Sequence, residues 1–89
     1  MPTISMFYGI LITIYNENAS QHNTPHIHAR YQGKRVSVAI EDGTVLAGEL
    51  PIRQLRMVQV WLDLHKDEIL ADWELALAGE EPFRIAPLQ

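Results

Sequence analysis

The chain contains no cysteine, an absence that removes disulfides, thiolate zinc sites and cysteine nucleophiles together. Any metal site would have to be built from histidine and carboxylate. Basic residues are scarce too: seven Lys and Arg stand against eleven Asp and Glu, for a net charge of −4. Indiscriminate coating of nucleic acid needs an electropositive surface, which this balance does not supply. No apolar run reaches the roughly 18 uninterrupted residues that cross a bilayer, so no membrane role is expected. The opening Met1-Pro2-Thr3-Ile4 lacks a basic stretch followed by an apolar leader, and the expectation is no signal peptide and a cytoplasmic location. Phosphate loops, nucleophile elbows and dinucleotide fingerprints are all missing.

With 89 residues the chain reads as one domain over positions 1–89, with a thin core that a second subunit would help to stabilise. Its charge is unevenly spread. Between positions 20 and 56, Arg30, Lys34, Arg35, Arg53 and Arg56 outnumber Glu41, Asp42 and Glu49. From position 57 onward Asp63, Asp67, Glu68, Asp72, Glu74, Glu80 and Glu81 face only Lys66 and Arg84. The basic part also holds three of the four histidines, in Gln21-His22-Asn23-Thr24-Pro25-His26-Ile27-His28-Ala29.

Alternating apolar residues from position 3 to 15 predict a long strand broken at Gly9, with Ile4, Met6, Tyr8, Ile10, Ile12 and Ile14 in alternation. Asn16 to Thr24 is a polar loop. A second strand runs from His26 to Tyr31, Gln32-Gly33 turns, and a third strand spans Arg35 to Glu41. Asp42-Gly43 suits a type I′ hairpin turn, and Thr44 to Gly48 is a short fourth strand. The period then changes. After Pro51, residues Leu55, Val58, Leu62, His65, Ile69, Trp73 and Ala76 recur every three or four positions, so Ile52 to Ala78 is one long helix or two consecutive ones. A break would fall at His65-Lys66-Asp67-Glu68, with Asp67 as the cap of the second helix. The tail from Glu81 reads as extended, packing Phe83 and Ile85 onto the domain. The fold class expected is α+β: a small, mostly antiparallel sheet of about four strands packed against helix.

Side chains two apart on a strand share a face, so His26 and His28 project together while Ile27 and Ala29 point the other way. If Ile27, Ala29 and Tyr31 join Val36, Val38 and Ile40 under the helix, the opposite face gathers His26, His28, Arg30, Arg35, Ser37 and Glu41. Two imidazoles beside cations supply the groups for acid–base cleavage of a phosphodiester, with His26 and His28 as the catalytic pair. Arg30, Lys34 and Arg35 are the residues expected to bind nucleic acid or a partner. The same histidines suit a divalent metal, with His22 as a third ligand and Glu17, Glu41 or water completing the set. No other cofactor is expected. The structural alternative is that His26 fixes the strand entrance and the imidazoles hydrogen-bond loop carbonyls.

Further residues carry a resemblance. Phe7, Gly9-Ile10 and Ile12, then Pro25-His26-Ile27-His28-Ala29 with Tyr31, then Gly48-Glu49-Leu50-Pro51, Trp61, Leu64-His65, Glu68-Ile69-Leu70 and Asp72-Trp73-Glu74-Leu75-Ala76 are similar to the small bacterial domain of unknown function DUF4160, over nearly the whole chain. Its Pro-His-x-His centre maps to Pro25, His26 and His28. Many relatives carry an acidic residue where this chain has Gln21, which weakens a ligand role for His22. The resemblance implies a toxin–antitoxin-type component with a cognate small protein encoded nearby. Its histidine face would bind or cleave RNA or dock that partner. The alternatives are a non-catalytic module that regulates transcription, on DNA, with that partner, and a histidine-ligated metal-dependent hydrolase. A homo-oligomer is compatible with each.

Overall fold

Two dipeptides in the left-handed region of backbone space set the path of the first four strands. Tyr8 and Gly9 have φ of 50° and 79°, and Gln32 and Gly33 have 46° and 81°. Two successive positive φ values make a turn whose twist matches that of the flanking strands, so each pair closes a two-residue hairpin. The computed structural model describes residues 3–14 and 24–89. In it β1 (Thr3–Phe7) pairs with β2 (Ile10–Thr13), and β3 (His26–Tyr31) with β4 (Lys34–Ala39). With β5 (Val45–Gly48) they form one antiparallel sheet in sequence order. The fold is α+β, with five strands where about four were expected. The fifth arises because Gly9 is a hairpin turn and not a bend within one strand. Met6 and Tyr8 are consequently exposed, against the alternation read from the sequence. The loop expected over Asn16 to Thr24 lies, apart from Thr24, outside the described residues.

The third hairpin is longer than predicted. Only Gly43 takes positive φ, so Asp42-Gly43 is not a type I′ pair. Gly43 N–H donates to the Ala39 carbonyl and Ala39 N–H to that of Thr44, closing a four-residue loop. Asp42 accepts from the Thr44 backbone (3.0 Å), and hydrogen bonds from Thr44 hold its carboxyl below the usual range. At the far end of β5, Gly48 has φ +77°, and a Cβ there would collide with the Arg35 carbonyl oxygen. Glycine alone lets β4 and β5 approach this closely.

Strand alternation sorts the sheet into two faces. Ile12, Ala29 and Val36 lie in register across β2, β3 and β4, and Ile27 pairs with Val38; all five are buried. Two helices cover this side, α1 (Ile52–Leu64) and α2 (Lys66–Leu77). Val58, Trp61 and Leu62 of α1 and Ile69 and Trp73 of α2 join the strand residues in one core, with the Trp61 ring 5.6 Å from that of Phe7. The helix breaks at His65, within the segment expected. The residue at the cap position is His65, however, not Asp67, and its side chain makes no capping hydrogen bond to the backbone. Its Nδ1–H donates to Glu68 Oε1 at 2.9 Å, while Asp67 and Glu68 sit in the first turn, where carboxylates complement the positive end of the helix dipole.

Three hydrogen bonds tie down the tail: Trp61 Nε1–H to the Ala86 carbonyl (2.9 Å), Phe83 N–H to Asp72 Oδ1 (2.8 Å) and Ile85 N–H to the Ile4 carbonyl (2.7 Å). Ile85 is buried as expected, but the Phe83 ring is 72 % exposed; its backbone, not its ring, is the anchor. Asp72 is 1 % exposed, and its second oxygen has no hydrogen-bond partner. Burial therefore pushes its carboxyl above the usual range. A carboxyl whose folded pKa is raised binds its proton more tightly in the native state. Its contribution to stability then falls as pH rises from the ordinary Asp value through the raised one. Urea unfolding across that interval should show an Asp72→Asn variant, which keeps an acceptor for Phe83, gaining stability relative to wild type as pH rises; a pH-independent difference would contradict this account.

Candidate functional site on the open face of the sheet

The opposite face is built in rows, because each register position brings one residue from each strand side by side. The first row runs Met6, Leu11, Arg30 and Arg35; the second Thr3, Thr13, His28, Ser37 and Ala47; the third His26 and Ala39. Successive rows stand about 7 Å apart. The face is thus cationic at one end, polar in the middle and histidine-bearing at the other.

His26 and His28 share this face as predicted, their rings 5.1 Å apart and nearly perpendicular. Their surroundings differ. His26 is 1 % exposed; Nδ1–H donates to the Thr24 carbonyl at 2.8 Å, and the Trp73 indole lies 5.1 Å away. A carbonyl can only accept, so this bond requires a proton on Nδ1. His28 is half-buried, and its Nδ1 shares a hydrogen bond of 3.2 Å with the Ser37 hydroxyl. A shallow cavity of about 200 Å³ adjoins it, lined by His28, Arg35, Val36, Ser37, Ala47 and Gly48.

Arg30 and Arg35 are direct cross-strand partners and both are exposed. Like charges placed opposite each other on a ladder repel, and neither arginine makes an ion pair among the described residues. Lys34 does not join them. It pairs with Tyr31, one position out of phase, so its side chain leaves from the other side of the strand, where its ammonium lies 4.0 Å from Glu49. Glu41 is in the turn beyond β4 and off the face. His22, Gln21 and Glu17 lie outside the described residues. Among the described residues no third His, Asp or Glu joins the histidine pair into a metal-binding group. His65, the remaining histidine, is half-buried against Trp61 and bonded to Glu68, a role in the helix break.

Residues 9–74 match the family described as a domain of unknown function, DUF4160. The chain belongs to that family. The match runs from the first hairpin turn to the Trp73 region, so it includes all three rows from β2 onward and the part of α2 that covers His26. Neither curated proteins nor solved structures give a significant match. In this DUF4160 chain, reading strand phase alone brought His26, His28, Arg30, Arg35 and Ser37 to one face. It missed Thr13, whose pairing with His28 depends on the hairpin at Gly9, and Trp73, which meets His26 across 47 residues of chain. Among the described residues no helix is long and apolar enough to cross a membrane.

The tautomer is directly measurable. Long-range ¹H–¹⁵N correlation spectra should place a proton on His26 Nδ1; an unprotonated Nδ1 would break the assigned link to Thr24.

Proposed function

We propose that this DUF4160 chain is a binding component of a bacterial, cytoplasmic toxin–antitoxin-type pair, holding the phosphodiester backbone of single-stranded RNA on its open sheet face. One observation carries this reading: two arginines directly opposed in the β3–β4 ladder, without carboxylate partners among the described residues, beside the cavity at His28 and Ser37. An arrangement that is repulsive in the free protein becomes favourable when an anion lies between the guanidiniums. Planar guanidinium forks suit phosphate oxygens. The His28 imidazole and the Ser37 hydroxyl stand one row further on, about 7 Å away, within reach of the neighbouring nucleotide. The net negative charge of the chain opposes nonspecific attraction and restricts contact to this face.

Binding is favoured over cleavage because the two imidazoles are unequally placed. Acid–base transfer on a phosphodiester requires both groups within hydrogen-bond reach of the reacting oxygens. His26 is sealed against Trp73 and committed to Thr24. His28 lines the cavity with its Nε2 buried and its Nδ1 bonded to Ser37, so the ring walls the ligand site without presenting a second exchangeable group to it. The cognate small protein would then modulate RNA binding from another surface.

Fluorescence anisotropy with a short single-stranded RNA tests this. Affinity should fall with salt, and each of Arg30→Ala and Arg35→Ala should reduce the slope of log K against log salt by about 0.7, the value for one phosphate contact on a single strand. Lys34→Ala should leave that slope unchanged. Salt-independent binding, or equal effects at all three positions, would reject the face. RNA cleavage that disappears in a folded His26→Ala, His28→Ala variant would replace binding by catalysis.

A further inference from the structure

The outer side of α1 carries an apolar stripe that the fold does not use. Ile52, Val60 and Leu64 are 63 %, 51 % and 64 % exposed, and at about 100° per residue Val60 points nearly opposite the buried Val58 and Leu62. Single exposed apolar residues are ordinary, but Val60 and Leu64 stand one turn apart, Ile52 two turns before Val60 with Arg56 between them, and such a grouping beside an apolar groove marks a contact surface. Beside it lies a groove of about 410 Å³ lined by Ile52, Arg53, Arg56, Met57, Val60 and Leu88.

The charges along the same face identify the occupant. Arg53 and Arg56 lie in the first half of α1 and Asp63 near its end, all exposed, and none makes an ion pair among the described residues. An acidic foreign segment would satisfy the arginines and leave Asp63 facing like charge. A second α1 running antiparallel satisfies both signs at once, since its acidic end meets the basic half of the first helix. On the helical wheel Arg56 and Asp63 fall about 20° apart, on one side of Val60, and Leu64 falls on the other side with Arg53 and Met57. A two-fold axis perpendicular to the helix keeps each side facing its own kind. Arg56 of each copy then meets Asp63 of the other, Val60 packs near Val60, and each Leu64 lies over the groove of the opposite copy.

We propose that this chain forms an antiparallel, two-fold homodimer through the outer face of α1. The interface is independent of the RNA-binding reading, because it uses the helical layer and leaves the open sheet face free. Sedimentation equilibrium over a concentration series should give twice the 10.2 kDa chain mass. Leu64→Glu and Arg56→Glu should each weaken the dimer at least about tenfold, with circular dichroism unchanged because both sites are exposed. The double variant Arg56→Glu, Asp63→Arg, which exchanges the signs, should recover most of that loss. Wild type that stays monomeric at every concentration overturns the proposal, as does a dimer insensitive to Leu64→Glu or a double variant no better than Arg56→Glu alone.

Discussion

The pairing of β3 between β2 and β4 decides which side chains meet the helices and which stand on the opposite face of the sheet. Ile27 and Ala29 go to the core because they stand in register with Val38 and Val36, and that assignment sends His26, His28 and Arg30 to the other side. A slip of one residue would exchange the two sets, turning Arg30 toward the core and exposing the apolar pair. Register is therefore held from both ends. The Gln32-Gly33 turn fixes β3 against β4, and the buried Ile12, opposite Ala29, fixes it against β2. Gly48 adds a third constraint by letting β5 close on β4 beside the cavity at His28.

The open face is graded from one end to the other, and α2 is the cause. The break at His65 redirects the chain so that Trp73 reaches His26, closing the histidine end, while nothing among the described residues pairs with the charges at the arginine end. A straight helix from Ile52 to Ala78 would be about 40 Å long, longer than the 33 Å maximum extent of the molecule, and would carry Trp73 away from the sheet. His65, bonded to Glu68 and packed at a tilt against Trp61, thus shapes the site at a distance although it takes no part in it. The outer side of α1 is left free, with its own apolar stripe.

How much of this was legible in the sequence depends on the range of the interaction. Period-two alternation placed His26 with His28 and Arg30 with Arg35, and period three to four placed Val58, Leu62, Ile69 and Trp73 on one stripe, because both are local rules of backbone geometry. The first hairpin was missed because Tyr8, a non-glycine residue, takes positive φ ahead of Gly9; the alternation of isoleucines on either side masked the turn. Asp42-Gly43 misled for the opposite reason, a favoured dipeptide used in a longer loop. Lys34 was grouped with Arg35 by proximity in sequence although strand phase separates them. The cover that Trp73 places over His26 and the anchoring of Phe83 by Asp72 are contacts between distant segments, which no local pattern encodes.

The central claim is that the arginine end of the sheet face, and not the helical layer, receives RNA. Titration of a short single-stranded RNA into ¹⁵N-labelled protein, followed by amide chemical shifts, tests it most directly. The account predicts shift changes concentrated at Leu11, Thr13, His28 to Arg30 and Arg35 to Ser37, with the α1 amides from Ile52 to Leu64 unmoved. Changes concentrated on α1, or none at saturating RNA, would contradict it.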